Sequence, residues 1–146
     1  MNQETRTPPD TPRKDGNEIP RRVAYFVTAV LAFGVTEIGR FVYRPWVREH
    51  GIEDFGLADS IGNLGGIVVQ IFVVLTVVRA SKRKSFVLSG VMAAGYVVYE
   101  FVQPYLPKGV FDWNDVLGTG LGFCFSANVL WVIWRVFPMR NDSVVD

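Results

Sequence analysis

The sequence holds one cysteine, Cys124, and one histidine, His50. That scarcity removes intramolecular disulfides and zinc sites of the usual multi-Cys or multi-His kind. No glycine-rich loop of Walker or Rossmann spacing occurs, so phosphate chemistry of those kinds has no cradle. A triad of His50, Asp59 and Ser60 can be written down, but nothing in the spacing fixes its geometry. Charge of one sign is also missing. Fifteen basic and fourteen acidic residues leave a formal net charge of +1, and no nucleic-acid partner is expected. Proline is absent from the middle of every long apolar run.

What the chain has in quantity is apolar residues in blocks. Hydrophobic residues make up 49% of the 146 and mean hydropathy is +0.23. The blocks run from Val23 to Tyr43, Ile61 to Val78, Phe86 to Val102 and Val116 to Phe137. Each is near the ~20 residues a helix needs to cross ~30 Å of hydrocarbon. Ile67 to Val78 is rich in Val and Ile and would read as a buried strand in a soluble protein. Its length, its bounding charges and the lack of internal turn residues favour a lipid-embedded helix. Trp46 and Trp113 fall at one end of these blocks and Trp131 and Trp134 at the other, as interfacial aromatic belts require.

The segment before the first block carries Pro8, Pro9, Pro12 and Pro20 among polar and charged residues, a composition unable to bury enough surface to order itself. The first block is too long for a signal-peptide core and has no small-residue cleavage site after it, so it is expected to remain as an anchor. Arg6, Arg13, Lys14, Arg21 and Arg22 precede it, Arg79, Lys82, Arg83 and Lys84 lie between the second and third blocks, and Arg135 and Arg140 close the fourth. Only Arg40, Arg44, Arg48 and Lys108 fall on the other side, so the positive-inside rule puts both termini in the cytosol. The expected organisation is a disordered cytosolic tail over 1–21, a four-helix transmembrane domain over 22–137 and a short cytosolic tail over 138–146.

A stripe of residues is written twice, 56 positions apart: Asp59, Gly62, Asn63, Gly66 and Gln70, then Asp115, Gly118, Thr119, Gly122 and Ser126. These offsets fall on one helix face, making a small, polar ridge on an apolar cylinder. Lipid would leave its polar groups unpaired, so the ridge is expected to meet protein or water. Gly62, Gly66, Gly118 and Gly122 read as small-xxx-small packing pairs. Asp59 and Asp115 have the character of helix caps. Asn63, Gln70, Thr119 and Ser126 suit interhelical hydrogen bonds.

The duplication extends to Glu37-Ile-Gly-Arg40 and Glu100-Phe-Val-Gln103, each followed by a proline, Pro45 or Pro104. The expected fold is therefore all-α: a polytopic membrane protein whose four transmembrane helices form two parallel-repeat hairpins, with their acids gathered in the outer leaflet. An ionisable group within a span costs at least ~2.5–3.5 kcal/mol and needs a partner, a cavity or a task. Glu37 has Arg40 one turn away; Glu100 has no local base. Glu37, Arg40, Asp59, Asn63, Glu100, Gln103, Asp112, Asp115 and Thr119 are the candidate ligand-binding residues. No catalytic residue, metal or cofactor is assigned.

The run Glu100-Phe-Val-Gln103 through Phe111-Asp112-Trp113-Asn114-Asp115 to Gly122 resembles the signature of VanZ-like membrane proteins. There Glu-x-x-Gln precedes a loop with aspartates, and Asp-x-x-x-Asn-x-x-Gly opens the next helix. Asp59-x-x-x-Asn63-x-x-Gly66 looks like an earlier copy of the same element. Thr119 stands where the pattern has Asn, and the basic residue before the loop aspartates is matched only by the displaced Lys108. The resemblance covers about residues 23 to 137. Because the family's namesake is associated with resistance to the glycopeptide teicoplanin, it implies a cell-envelope setting rather than a reaction.

With the resemblance added to the residues, the expectation is a non-enzymatic protein of the bacterial cytoplasmic membrane that binds a lipid headgroup, cell-wall precursor or amphiphilic antibiotic. One alternative is a metal-assisted enzyme acting on a phosphorylated lipid, since outer carboxylates are the oxygen donors that Ca²⁺ and Mg²⁺ take. Another is a small proton-coupled transporter, for which four spans are thin unless the chain forms a homodimer.

Overall fold

A computed structural model describes residues 16–107 and 109–139. Most of the expected N-terminal tail, Lys108 and nearly all of the C-terminal tail lie outside the described residues. Among those described, every regular element is helical, and four helices are long and apolar enough to cross a membrane: Glu18–Glu49, Leu57–Val77, Lys82–Tyr105 and Trp113–Val136.

The first is longer than the apolar run predicts. Helix α1 (Glu18–Ile38) passes through a π-helical turn, Gly39–Tyr43, into α2 (Arg44–Glu49) without a break, 32 residues in all. Residues 18–21, expected in the disordered tail, form its first turn, where Pro20 has no hydrogen bond to forfeit. At the far end Pro45 sits inside the continuous helix. Proline lacks the N–H of the regular ladder and its ring crowds the carbonyl four residues back, and a widened turn relieves both problems.

Helix α3 (Leu57–Val77) returns, α4 (Lys82–Val102) rises again into a short 3₁₀ turn, Gln103–Tyr105, and α5 (Trp113–Val136) completes the bundle. Asp54 opens α3, accepting from the backbone N–H groups of Gly56 (3.1 Å) and Ala58 (2.7 Å). Asp112 opens α5, accepting from Asn114 N–H at 2.8 Å. The capping expected of Asp59 and Asp115 thus belongs to other aspartates. Asp59 and Asp115 are each the third helical residue, beyond the N-cap position but still within the positive first turn.

The helices lie side by side in the order α1, α3, α5, α4, with α3 packed extensively on both α1 and α5, and α4 resting mainly on α5. The contact between α3 and α4 is much slighter. Close approach between α3 and α5 depends on Gly118 and Gly122: a Cβ on Gly118 would lie 2.8 Å from the Ser60 carbonyl oxygen, and one on Gly122 would collide with that of Leu64. Between α1 and α3 the corresponding glycines are Gly39, against Ile61, and Gly65, against Thr36.

The core changes character along the bundle axis. Tyr25, Ala29, Phe72, Leu75, Leu130 and Trp134 belong to an apolar cluster at the end where the chain enters. At that end Arg21 donates to the Phe137 carbonyl (2.9 Å) and Arg22 to that of Thr76 (2.7 Å), satisfying carbonyls at the C-terminal ends of α5 and α3. Trp134, expected in the lipid-facing belt, is instead 4% exposed, with the Arg21 guanidinium stacked 4.2 Å from its ring centroid. Toward the opposite end small and polar residues, Thr36, Ser60, Gly65, Glu100, Gly118, Thr119 and Gly122, are buried beside Val47 and Ala58.

Candidate functional site

The polar half of the bundle is assembled from three helices. Glu100, near the end of α4, is 1% exposed. Its Oε1 accepts a hydrogen bond of 3.1 Å from the Asn63 side-chain amide of α3. Its Oε2 is buried with no partner among the described residues. A buried acceptor in that state normally costs about 1–3 kcal/mol, and more where the group is charged. Asn63 supplies to Glu100 what no residue on α4 does.

Asp115, in the first turn of α5, is close enough to Glu100 for their charges to interact, and Asp112, Asp59 and Arg44 act on Asp115 in turn. No hydrogen bond or ion pair holds the Asp115 carboxylate among the described residues. Thr119, one turn further along that face, is fully buried and its Oγ1 likewise lacks a partner. Three oxygen-bearing groups on two helices are therefore left unmatched. Asn114, in the same turn, lies against Gly56, whose φ of +80° suits a residue without a side chain, so the starts of α3 and α5 are neighbours.

Beside the acids stand two cations. Asp59 Oδ1 receives Arg44 at 2.8 Å and Arg48 at 2.9 Å. Two guanidinium groups on one carboxylate leave a local excess of positive charge, and the Arg44 Nε is buried with no acceptor. The sequence reading counted these arginines only as charges against the orientation rule. What places them here is the π-helical turn, which the sequence betrays only through Pro45.

Glu37 pairs with Arg40 at 3.2 Å, and both side chains are partly exposed. Neither has a hydrogen bond or ion pair to the acids of α4 and α5. Gln103 begins the 3₁₀ turn and its backbone carbonyl accepts from Leu106 N–H at 2.9 Å, while the side chain makes no hydrogen bond to Glu100.

The packing role expected for Gly62 and Gly66 is not the one observed. A Cβ on Gly62 would meet nothing within 4 Å, and one on Gly66 only the Tyr96 hydroxyl at 3.7 Å. Gly66 and Asn63 lie beside α4 across a sparse contact, Gly62 faces open space, and Gln70 further along is exposed. The glycines of the first stripe thus leave space whereas those of the second are packed against α3. At the same end Phe101 and Phe111 stack, and Trp113 meets both edge-on, with centroids 5.0–6.4 Å apart.

Among the described residues no group of three or more His, Cys, Asp or Glu side chains converges tightly enough to hold a metal ion. What the geometry shows is a set of unmatched acceptors on α4 and α5 with Arg44 and Arg48 paired to Asp59 at the same end of the bundle. Comparison of the chain with protein-family models, with curated proteins and with solved structures gives no match in any of the three.

Proposed function

We propose that this chain is a multi-pass protein of the bacterial cytoplasmic membrane, similar to VanZ-like proteins, that binds the polar end of an amphiphile in its outer leaflet. The amphiphile is a lipid, a cell-wall precursor or an amphiphilic antibiotic. One observation carries the reading: a carboxyl buried to 1% exposure inside a membrane-spanning helix, with one oxygen held by Asn63 and the other unmatched. Such a group is too costly to persist as packing alone.

Both termini lie in the cytosol in this reading. The cluster of Arg79, Lys82, Arg83 and Lys84 at the end opposite the acids supports that orientation. The two hairpins descend from a duplication with both copies inserted in the same direction. The side-by-side order α1, α3, α5, α4 and the equivalent third-residue positions of Asp59 and Asp115 support it.

The test is to extract the chain from its native membrane into lipid nanodiscs and measure retained amphiphiles by mass spectrometry, alongside Glu100→Gln and Asp115→Asn. The expected result is one amphiphile class enriched on the wild type and depleted on both variants. Identical profiles for all three would count decisively against the pocket.

A further inference from the structure

Resting on the pocket just described, we infer that its ligand carries a primary ammonium beside a phosphodiester, the headgroup of a phosphoethanolamine lipid, with the ammonium at Glu100 and Asp115 and the phosphate at Arg44 and Arg48.

The unmatched atoms select the ammonium. Glu100 Oε2 and the Asp115 carboxylate are acceptors, and Thr119 Oγ1 can accept as well. An ammonium is the complementary group, with three N–H donors and no acceptor. A quaternary ammonium has the charge but no N–H, and would leave Glu100 Oε2 as unsatisfied as before. The burial of Glu100 makes the distinction strong, because a desolvated carboxylate gains from a partner that both neutralises it and hydrogen-bonds to it.

The rim selects the phosphate. Arg44 and Arg48 share a single oxygen of Asp59, and the Arg44 Nε points to no acceptor. Guanidinium forks are suited to phosphate oxygens. Arg44 acts electrostatically on Asp115, so the cationic and anionic poles are neighbours, as the two charges of a phosphoethanolamine are. A headgroup with only the negative charge would meet the carboxylates, and one with only the positive charge would leave the arginines unused.

The seam supplies access from the bilayer. A side chain could be added at Gly62 without meeting any atom within 4 Å, and Gly66 has only the tip of Tyr96 nearby, so the face of α3 that leads to Asn63 and Glu100 is open beside α4. Gln70, exposed at its lower end, marks where that face meets the surroundings. The acyl chains of a lipid can remain in the membrane while its headgroup reaches the acids.

The test uses the full chain in vesicles of neutral carrier lipid doped with phosphatidylethanolamine, its N,N-dimethyl derivative, phosphatidylcholine or phosphatidylglycerol, followed by native mass spectrometry of retained lipid. Retention should fall stepwise as N–H groups are replaced by methyls, with phosphatidylethanolamine preferred to phosphatidylcholine by about tenfold or more, the scale of one charge-assisted hydrogen bond. Glu100→Gln should abolish that preference, and Arg44→Gln should weaken every phosphate-bearing lipid alike. Gly62→Leu should lower retention by filling the seam. Each variant is carried forward only with a wild-type unfolding temperature; should Glu100→Gln fail this, Asp115→Asn replaces it.

Retention that depends on Glu100 but ignores methylation would overturn the ammonium assignment and leave the pocket standing. Retention insensitive to both headgroup and Glu100 would overturn the two together. Water-soluble glycerophosphoethanolamine at equal concentration should not displace the lipid, and displacement would overturn its assignment as a membrane ligand.

Discussion

Asn63 on α3 reaches across the α3–α4 seam to donate its side-chain amide to Glu100 Oε1 over 3.1 Å. The two residues lie on helices that otherwise touch sparingly, so this bond is a specific polar link across the seam. Replacing Asn63 with Leu removes the donor and leaves both oxygens of Glu100 unmatched, with an expected loss of about 1–3 kcal/mol in stability. Glu100→Gln keeps an amide oxygen for Asn63 and should cost less than about 1 kcal/mol. A double-mutant cycle with Asn63→Leu and Glu100→Leu, read by denaturant unfolding in detergent, should show clear positive coupling. Additive effects would mean that the bond is not made.

The glycine stripes give a second, opposite pair of expectations. Gly122→Ala brings a methyl into the Leu64 backbone carbonyl and the Ile67 side chain, where the backbone cannot yield cheaply, and should destabilise the α3–α5 contact by about 1–3 kcal/mol. Gly62→Ala enters open space and should be neutral, or stabilising by up to about 1 kcal/mol through helix propensity. Thermal unfolding of the two variants side by side checks the asymmetry. Equal effects would show that both stripes are packed alike.

Which parts of this were readable in the chain follows from what each depends on. Four helices are legible because a run of about twenty apolar residues announces itself without any neighbour. The glycine stripes were equally visible, but whether a glycine is a contact point depends on how its helix is rotated against another. Gly62 and Gly118 hold equivalent positions in the two stripes and are opposite in environment. Asp59 and Asp115 looked like caps because a carboxylate suits any first turn; Asp54 and Asp112, slightly earlier in the chain, receive the N–H bonds. Glu100 stood out for want of a local base, yet its partner Asn63 lies 37 residues away and could not be inferred from periodicity. The arginine pair on Asp59 was hidden behind Pro45, a residue that ordinarily ends a helix and here is absorbed by one.

Orientation yields a simple experiment. Arg79 pairs with Glu18 at 2.9 Å, which fixes the turn between α3 and α4 at the same end as the start of α1. Lys82, Arg83 and Lys84 follow at once in the first turn of α4, and moving such a cluster across the bilayer opposes the positive-inside bias. A phosphatase active only outside the cytosol, fused after Lys84, should be silent, while a fusion after Gly51 should be active. The reverse pattern would turn the acids toward the cytosol and remove the outer-leaflet pocket.

The π-helical turn is the feature on which the arginine rim depends. Gly39–Tyr43 closes i→i+5 rather than i→i+4 hydrogen bonds, which inserts one residue into the helix and rotates everything after it by about 100° relative to a regular continuation. That rotation aims Arg44 and Arg48 at Asp59. Pro45 suits such a turn, since it cannot donate to the regular ladder and its ring would press on the carbonyl of Phe41 in an unbroken α-helix. Pro45→Ala restores the N–H and should let the segment relax to α-helix, swinging α2 away from the start of α3. Spin labels at exposed Glu49 and Leu57, in a Cys124→Ser background, should then report a displacement of roughly 5 Å or more, given a helix about 10 Å across. Lipid retention by the same variant should resemble that of Arg44→Gln, because the guanidinium groups are lost to the site although the residues remain. An unchanged label distance would show that Gly39 and its packing against Ile61, rather than the proline, hold the turn.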